Sequence, residues 1–73
     1  MHKNRKVREK SMKYSPNMLD ALMMHNDSDE LISLRTWIHW KLKFTFLPDV
    51  SDNILDTMRD KDLNELVNSL KYF

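Results

Sequence analysis

The chain contains no glycine and no cysteine, and only two of its 73 residues, Pro16 and Pro48, are proline. Without cysteine there is no disulfide framework and no sign of an oxidising compartment. Without glycine, the left-handed positions that tight hairpin turns ask for have no ready occupant. No clear period-two alternation of apolar residues stands out either, so strands are not expected. Long apolar runs are missing as well. Nothing approaches the ~20 apolar residues of a membrane span, and the N-terminus lacks the apolar core of a signal peptide. These absences predict a soluble, cytoplasmic protein with no membrane partner.

Catalytic signatures are equally scarce. There is no glycine-rich phosphate loop, no nucleophile elbow and no cysteine nucleophile. A body this small has little room for a water-excluding cleft with supporting residues behind it. No enzyme activity, catalytic residue, cofactor or small-molecule substrate is expected. His2, His25 and His39 are too scattered for a structural zinc site. His25 and Asp29 are four apart, but across an expected helix break. His39 has no His, Asp or Glu three or four residues away. No metal ligand is assigned.

Charge is present but uneven. The formal total of +1 hides an arm, residues 1–13, in which six basic residues face only Glu9, for +5. The remainder, residues 14–73, sums to −4. The division is therefore a flexible basic arm on a helical mini-domain. Lys3, Arg5, Lys6, Arg8, Lys10 and Lys13 are candidate phosphate contacts, which would bind nucleic acid in a salt-sensitive, sequence-independent way. The arm has no aromatic residue to stack on bases. The stretch "MKYSP" at Met12 would also serve as a start, which would make residues 1–11 an optional extension.

The rest reads as helix, and the fold class expected is all-α: a small bundle of three to four helices. Ser15-Pro16 has the form of an N-cap with proline at the first helical position. A short helix through Met18, Leu19, Leu22 and Met23 would stop near Asn26, the best substitute for a glycine cap. Asp27 and Glu30 have capping-box spacing and would open the longest helix, about residues 28–46, ended by Pro48. Ser51 would cap a third helix through Ile54, Leu55 and Met58. Asp62 and Glu65 repeat the capping spacing ahead of a last helix bearing Leu63, Leu66, Val67 and Leu70. One continuous helix over 52–72 is the variant of this reading. A DNA-reading helix-turn-helix at 51–71 is disfavoured, because its second helix is acidic where phosphate lies.

The stretch "RTWIHWKLKF", residues 35–44, is apolar on two sides of such a helix. Leu31, Leu34, Ile38 and Leu42 form one stripe, expected to pack on Leu63, Leu66, Val67 and Leu70. Trp37, Trp40, Phe44 and Leu47 gather on the opposite side, with Arg35, His39 and Lys43 along a seam between. The companions are too short to cover both faces. Trp37, Trp40, Phe44 and Leu47, with the adaptable pair Met23 and Met24, are therefore the candidate partner or dimer interface. A chain this small buries only about 60% of its unfolded surface and benefits from a second copy or a partner. The function expected is a small non-enzymatic regulator or adaptor acting by protein–protein binding as a homodimer. The alternative is a nucleic-acid-binding regulator whose arm grips phosphates while the body dimerises.

Overall fold

Ser33, rather than Asp27, opens the central helix, and the residues ahead of it form a hairpin. The computed structural model describes residues 13–72. Along the chain it runs through a 3₁₀ turn (Pro16–Met18), strands β1 (Met23–His25) and β2 (Leu31–Ser33), and helices α1 (Leu34–Leu42), α2 (Asp52–Thr57) and α3 (Asp60–Leu70). The expected all-α bundle is thus corrected to a small α+β fold: among the described residues, three helices and a two-stranded antiparallel sheet.

The hairpin was missed for reasons that lie in its residues. Each strand is three residues long, too short for period two to declare itself against a helical pattern. The left-handed position falls to Asp29, at φ 62°, because Asp tolerates that region where most side chains do not. The Asp29 N–H donates to the Asn26 carbonyl at 3.0 Å and the Asn26 N–H to the Glu30 carbonyl at 3.0 Å. The Asn26 side chain fills the loop: its Oδ1 accepts from the Ser28 and Glu30 N–H groups, and its Nδ2 donates to Glu30 Oε1. The residues read as a helix stop and a capping box therefore build a hairpin loop, since short polar side chains satisfy turn backbone as readily as helix ends. In register, Met24 pairs with Ile32, Met23 with Ser33 and His25 with Leu31. Met24 and Ile32 pack against the core, while Met23 and Leu31 face outward.

The first helix shortens to one 3₁₀ turn because its carbonyls are used elsewhere. Those of Leu19 and Leu22 accept from the Arg35 and Leu34 N–H groups, each at 2.9 Å. The start of α1, whose first amides have no helical partner, is thereby sealed by the preceding segment. Ser33 Oγ accepts from the Thr36 N–H, completing the cap. At the other end the expected helix to residue 46 stops at Leu42. The amides of Lys43, Phe44 and Thr45 donate to carbonyls three residues back, a tightened turn that ends the helix. Thr45 Oγ1 donates to the Leu42 carbonyl and accepts from the Leu47 N–H. The stretch "KFTFLPDV" is therefore a turning connector.

Ser51 caps α2 as expected, accepting from the Ile54 N–H. Met58 and Arg59 are both extended, so the C-terminal third is two helices and not one. The second begins at Asp60, two residues before the position expected.

Leu34, Ile38 and Leu42 of α1 are buried with Leu63, Val67 and Leu70 of α3; Leu66 is half-buried beside them. Leu31, expected in the same stripe, is 57% exposed, because it stands on the outer face of β2 and not on the helix. Tyr14, Leu19, Leu55 and Trp37 complete the core. Burying each such side chain stabilises by ~1.5–3 kcal/mol. Tyr14 is anchored by more than its ring. Its N–H donates to Asn64 Oδ1 at 2.6 Å, and Asn64 Nδ2 donates to the Tyr14 carbonyl at 3.0 Å and to the Asp60 carbonyl at 2.8 Å.

Candidate functional site: an apolar connector beside an ionic clasp

Two features meet at the C-terminal end of α1. The first is apolar. Helical spacing of four brings Trp40 and Phe44 edge to face, ring centroids 5.4 Å apart. Trp40 is half-buried against the core, but Phe44 is 63% exposed, Leu47 51% and Phe46 fully so. The tightened turn at Lys43–Thr45 carries these side chains off the helix and away from the core. The Lys41 ammonium lies 5.7 Å from the Trp37 ring centroid and 5.5 Å from that of Trp40, in range of both ring faces.

The second feature is ionic, and sequence spacing did not reveal it. Arg35 and His39 stand one turn apart on α1, and the carboxylates that meet them come from three other segments. Arg35 Nε and Nη2 donate to the two oxygens of Asp20, at 2.8 and 3.0 Å. Its Nη1 lies 3.2 Å from Asp52 and its Nη2 2.7 Å from Asp56. His39 Nδ1 is 2.9 Å from Asp49 Oδ1, and its Nε2 is 2.8 Å from Asp52 Oδ1. The seam Arg35–His39 was legible as a polar edge of the helix; the partners at positions 20, 49, 52 and 56 were not.

The protonation states follow from this geometry. Hydrogen bonds donated to Asp52 first, and then to Asp49, raise the His39 pKa above its ordinary value against a smaller opposing effect of burial. The same bonds hold Asp49 and Asp52 below the usual carboxylate range, with Arg35 contributing second at Asp52. Asp20 is lowered chiefly by its hydrogen bonds from Arg35. Ionised carboxylates only accept hydrogen bonds. A carboxylate on each ring nitrogen favours the imidazolium of His39, which alone can donate from both, and this is the direction in which its pKa is moved.

The six candidate interface residues divide among different surroundings. Trp37 lies inside, 5% exposed, as part of the core. Trp40, Phe44 and Leu47 lie along the end of α1 and its connector, where the structure adds Phe46, a residue absent from the sequence reading. Met23 and Met24 are consecutive in β1 and so point to opposite faces, Met23 outward and Met24 inward. Lys13 is exposed, whereas Lys3, Arg5, Lys6, Arg8 and Lys10 lie outside the described residues. Among the described residues no group of three or more His, Cys, Asp or Glu is arranged to hold a metal ion. No helix among them is long and apolar enough to cross a membrane. No protein-family model matches the chain, no curated protein matches it, and no solved structure matches it.

Proposed function

We propose that the protein is a small non-enzymatic regulator or adaptor that works by docking a protein chain, a second copy of itself, on the surface made by Trp40, Phe44, Phe46 and Leu47. The observation that carries the reading is the exposure of Phe44, Phe46 and Leu47 together on one short connector. Aromatic side chains bury ~150–250 Å² each and often dominate interface energetics. Several of them exposed side by side reach the few-hundred-Å² scale, roughly, that marks interaction sites.

A second copy is the occupant for two reasons. A 73-residue chain without disulfides has a small core and gains most from burying its remaining apolar surface on another chain. The rim of the surface also carries both signs, Lys43 ahead of Phe44 and Asp49 after Leu47. A two-fold contact, in which residue i meets j while j meets i, can pair such charges reciprocally. Sedimentation equilibrium of the wild type and of Phe46→Ser/Leu47→Ser tests the reading. The wild type should associate with rising concentration and the variant should remain monomeric with an unchanged circular dichroism spectrum. A monomeric wild type at high concentration contradicts it. Deleting residues 1–11 should leave association intact; loss of activity on that deletion alone would favour the phosphate-gripping arm.

A further inference from the structure

We propose that His39 is a proton-operated latch on the docking surface: as the imidazolium it ties the connector that carries Phe44, Phe46 and Leu47 back to α1, and loss of one proton releases it. The inference rests on the docking reading for its purpose, but the latch itself is a property of the single chain.

The connector is held at two ends. At its start, Phe44 and Thr45 are bound to α1 through the carbonyls of Lys41 and Leu42. At its far end, just past Pro48, Val50 packs half-buried against the core, and the polar hold is Asp49. Its Oδ1 accepts from His39 Nδ1 at 2.9 Å and from the Val50 N–H at 2.9 Å. Every charged group facing His39 takes part in the balance. Asp49 faces it from the connector and Asp52 from the first turn of α2. Arg35, one turn back on α1, shares Asp52 and is itself held by Asp20 and Asp56. Lys43, one turn on, acts on Asp49 through space.

A neutral imidazole keeps one N–H and turns a lone pair towards the other carboxylate. One of its two bonds then becomes a repulsion. Asp52 makes the shorter contact, 2.8 Å against 2.9 Å, and contributes most to holding the proton, so the bond surrendered is the one to Asp49. The direction with pH is fixed by linkage. His39 binds its proton more tightly in the folded chain, so its contribution is complete below the ordinary histidine value and is lost as pH rises through the elevated one. Asp49 and Asp52 act oppositely: theirs is present above the ordinary carboxylate value and is lost as pH falls through the depressed ones. The latch is closed between those limits and opens on the alkaline side through His39 alone.

The test is nuclear magnetic resonance of the full-length chain, kept dilute so that copies are separate. Long-range imidazole spectra report both ring nitrogens of His39, and amide exchange reports the connector after correction for its intrinsic pH dependence. Both nitrogens should be protonated at neutral pH, and the ring should titrate above free histidine. As it does, protection at Leu47 and Val50 should fall about tenfold, the factor that ~1.4 kcal/mol of opening free energy carries. His39→Gln should show the unprotected connector at every pH while the Ile38 and Val67 amides stay protected. Asp49→Asn should move the His39 titration downward with the core intact. A ring that titrates at or below free histidine, or connector protection that ignores it, overturns the latch. Sedimentation on the same samples separates the two claims. A connector that follows His39 in a chain that never associates leaves the latch standing and removes the docking reading.

Discussion

Two connectors of this molecule handle their side chains in opposite ways. Between β1 and β2, residues 26–30 are polar throughout, and Asn26 turns its amide back onto the loop's own backbone and Glu30. Between α1 and α2, Thr45 does similar work, but its neighbours Phe44, Phe46 and Leu47 point out of the fold. The first loop closes a turn and nothing more is needed to account for its residues. The second has a backbone explained by the fold and side chains that are not. A surplus of that kind, on a chain with so few large side chains to spare, is the ground on which we propose a partner for it.

The comparison is sharpest when apolar residues inside and outside the core are exchanged for small ones. Trp37→Ala should remove ~3–5 kcal/mol and leave the chain largely unfolded, as read by loss of helical circular dichroism. Phe46→Ser, nine positions on and fully exposed, should stay within ~0.5 kcal/mol of the wild type in urea unfolding. Equal losses from the two would erase the distinction between core and surplus.

The polar loop should fail next. Asp29→Val places a β-branched side chain at φ 62° and should cost ~1–2 kcal/mol, whereas Asp29→Gly should keep the hairpin. Cross-strand contacts between Met24 and Ile32 in nuclear Overhauser spectra would report it; their survival in Asp29→Val would show that the left-handed turn is not what closes the loop. The smallest effect belongs to the backbone of the apolar connector. Thr45→Ala removes two hydrogen bonds at a partly exposed site and should cost ~0.5–1.5 kcal/mol, with the loss of protection confined to the Leu47 amide.

What the sequence disclosed follows a physical line. Signals written in one residue and its near neighbours were legible: Ser51 as a cap, the break between α2 and α3, and the buried positions Leu34, Ile38, Leu42, Leu63, Val67 and Leu70. Signals that depend on which of two local geometries a polar side chain serves were not. Asn26, Asp27 and Glu30 fit a helix end and a hairpin loop equally well, and only tertiary burial of Met24 and Ile32 decides between them. Ser33 as the true cap was present as Ser33-x-x-Thr36 but was overshadowed by the earlier acidic pair. At the candidate site, Trp40, Phe44 and Leu47 could be singled out from spacing. Phe46 could not, because the helix was carried through residues 43–46 where the chain instead turns. The partners of Arg35 and His39 come from separate segments, and no periodicity in a single sequence encodes that meeting.

The central claim, that the Phe44–Leu47 side chains serve association and not the fold, is tested most directly by thermal unfolding at several protein concentrations. The wild-type midpoint should rise with concentration, because association binds only the native state. Phe44→Ser/Phe46→Ser/Leu47→Ser should unfold cooperatively at the dilute wild-type midpoint and at every concentration alike. A wild-type midpoint indifferent to concentration, or a triple variant that no longer folds, would contradict the account.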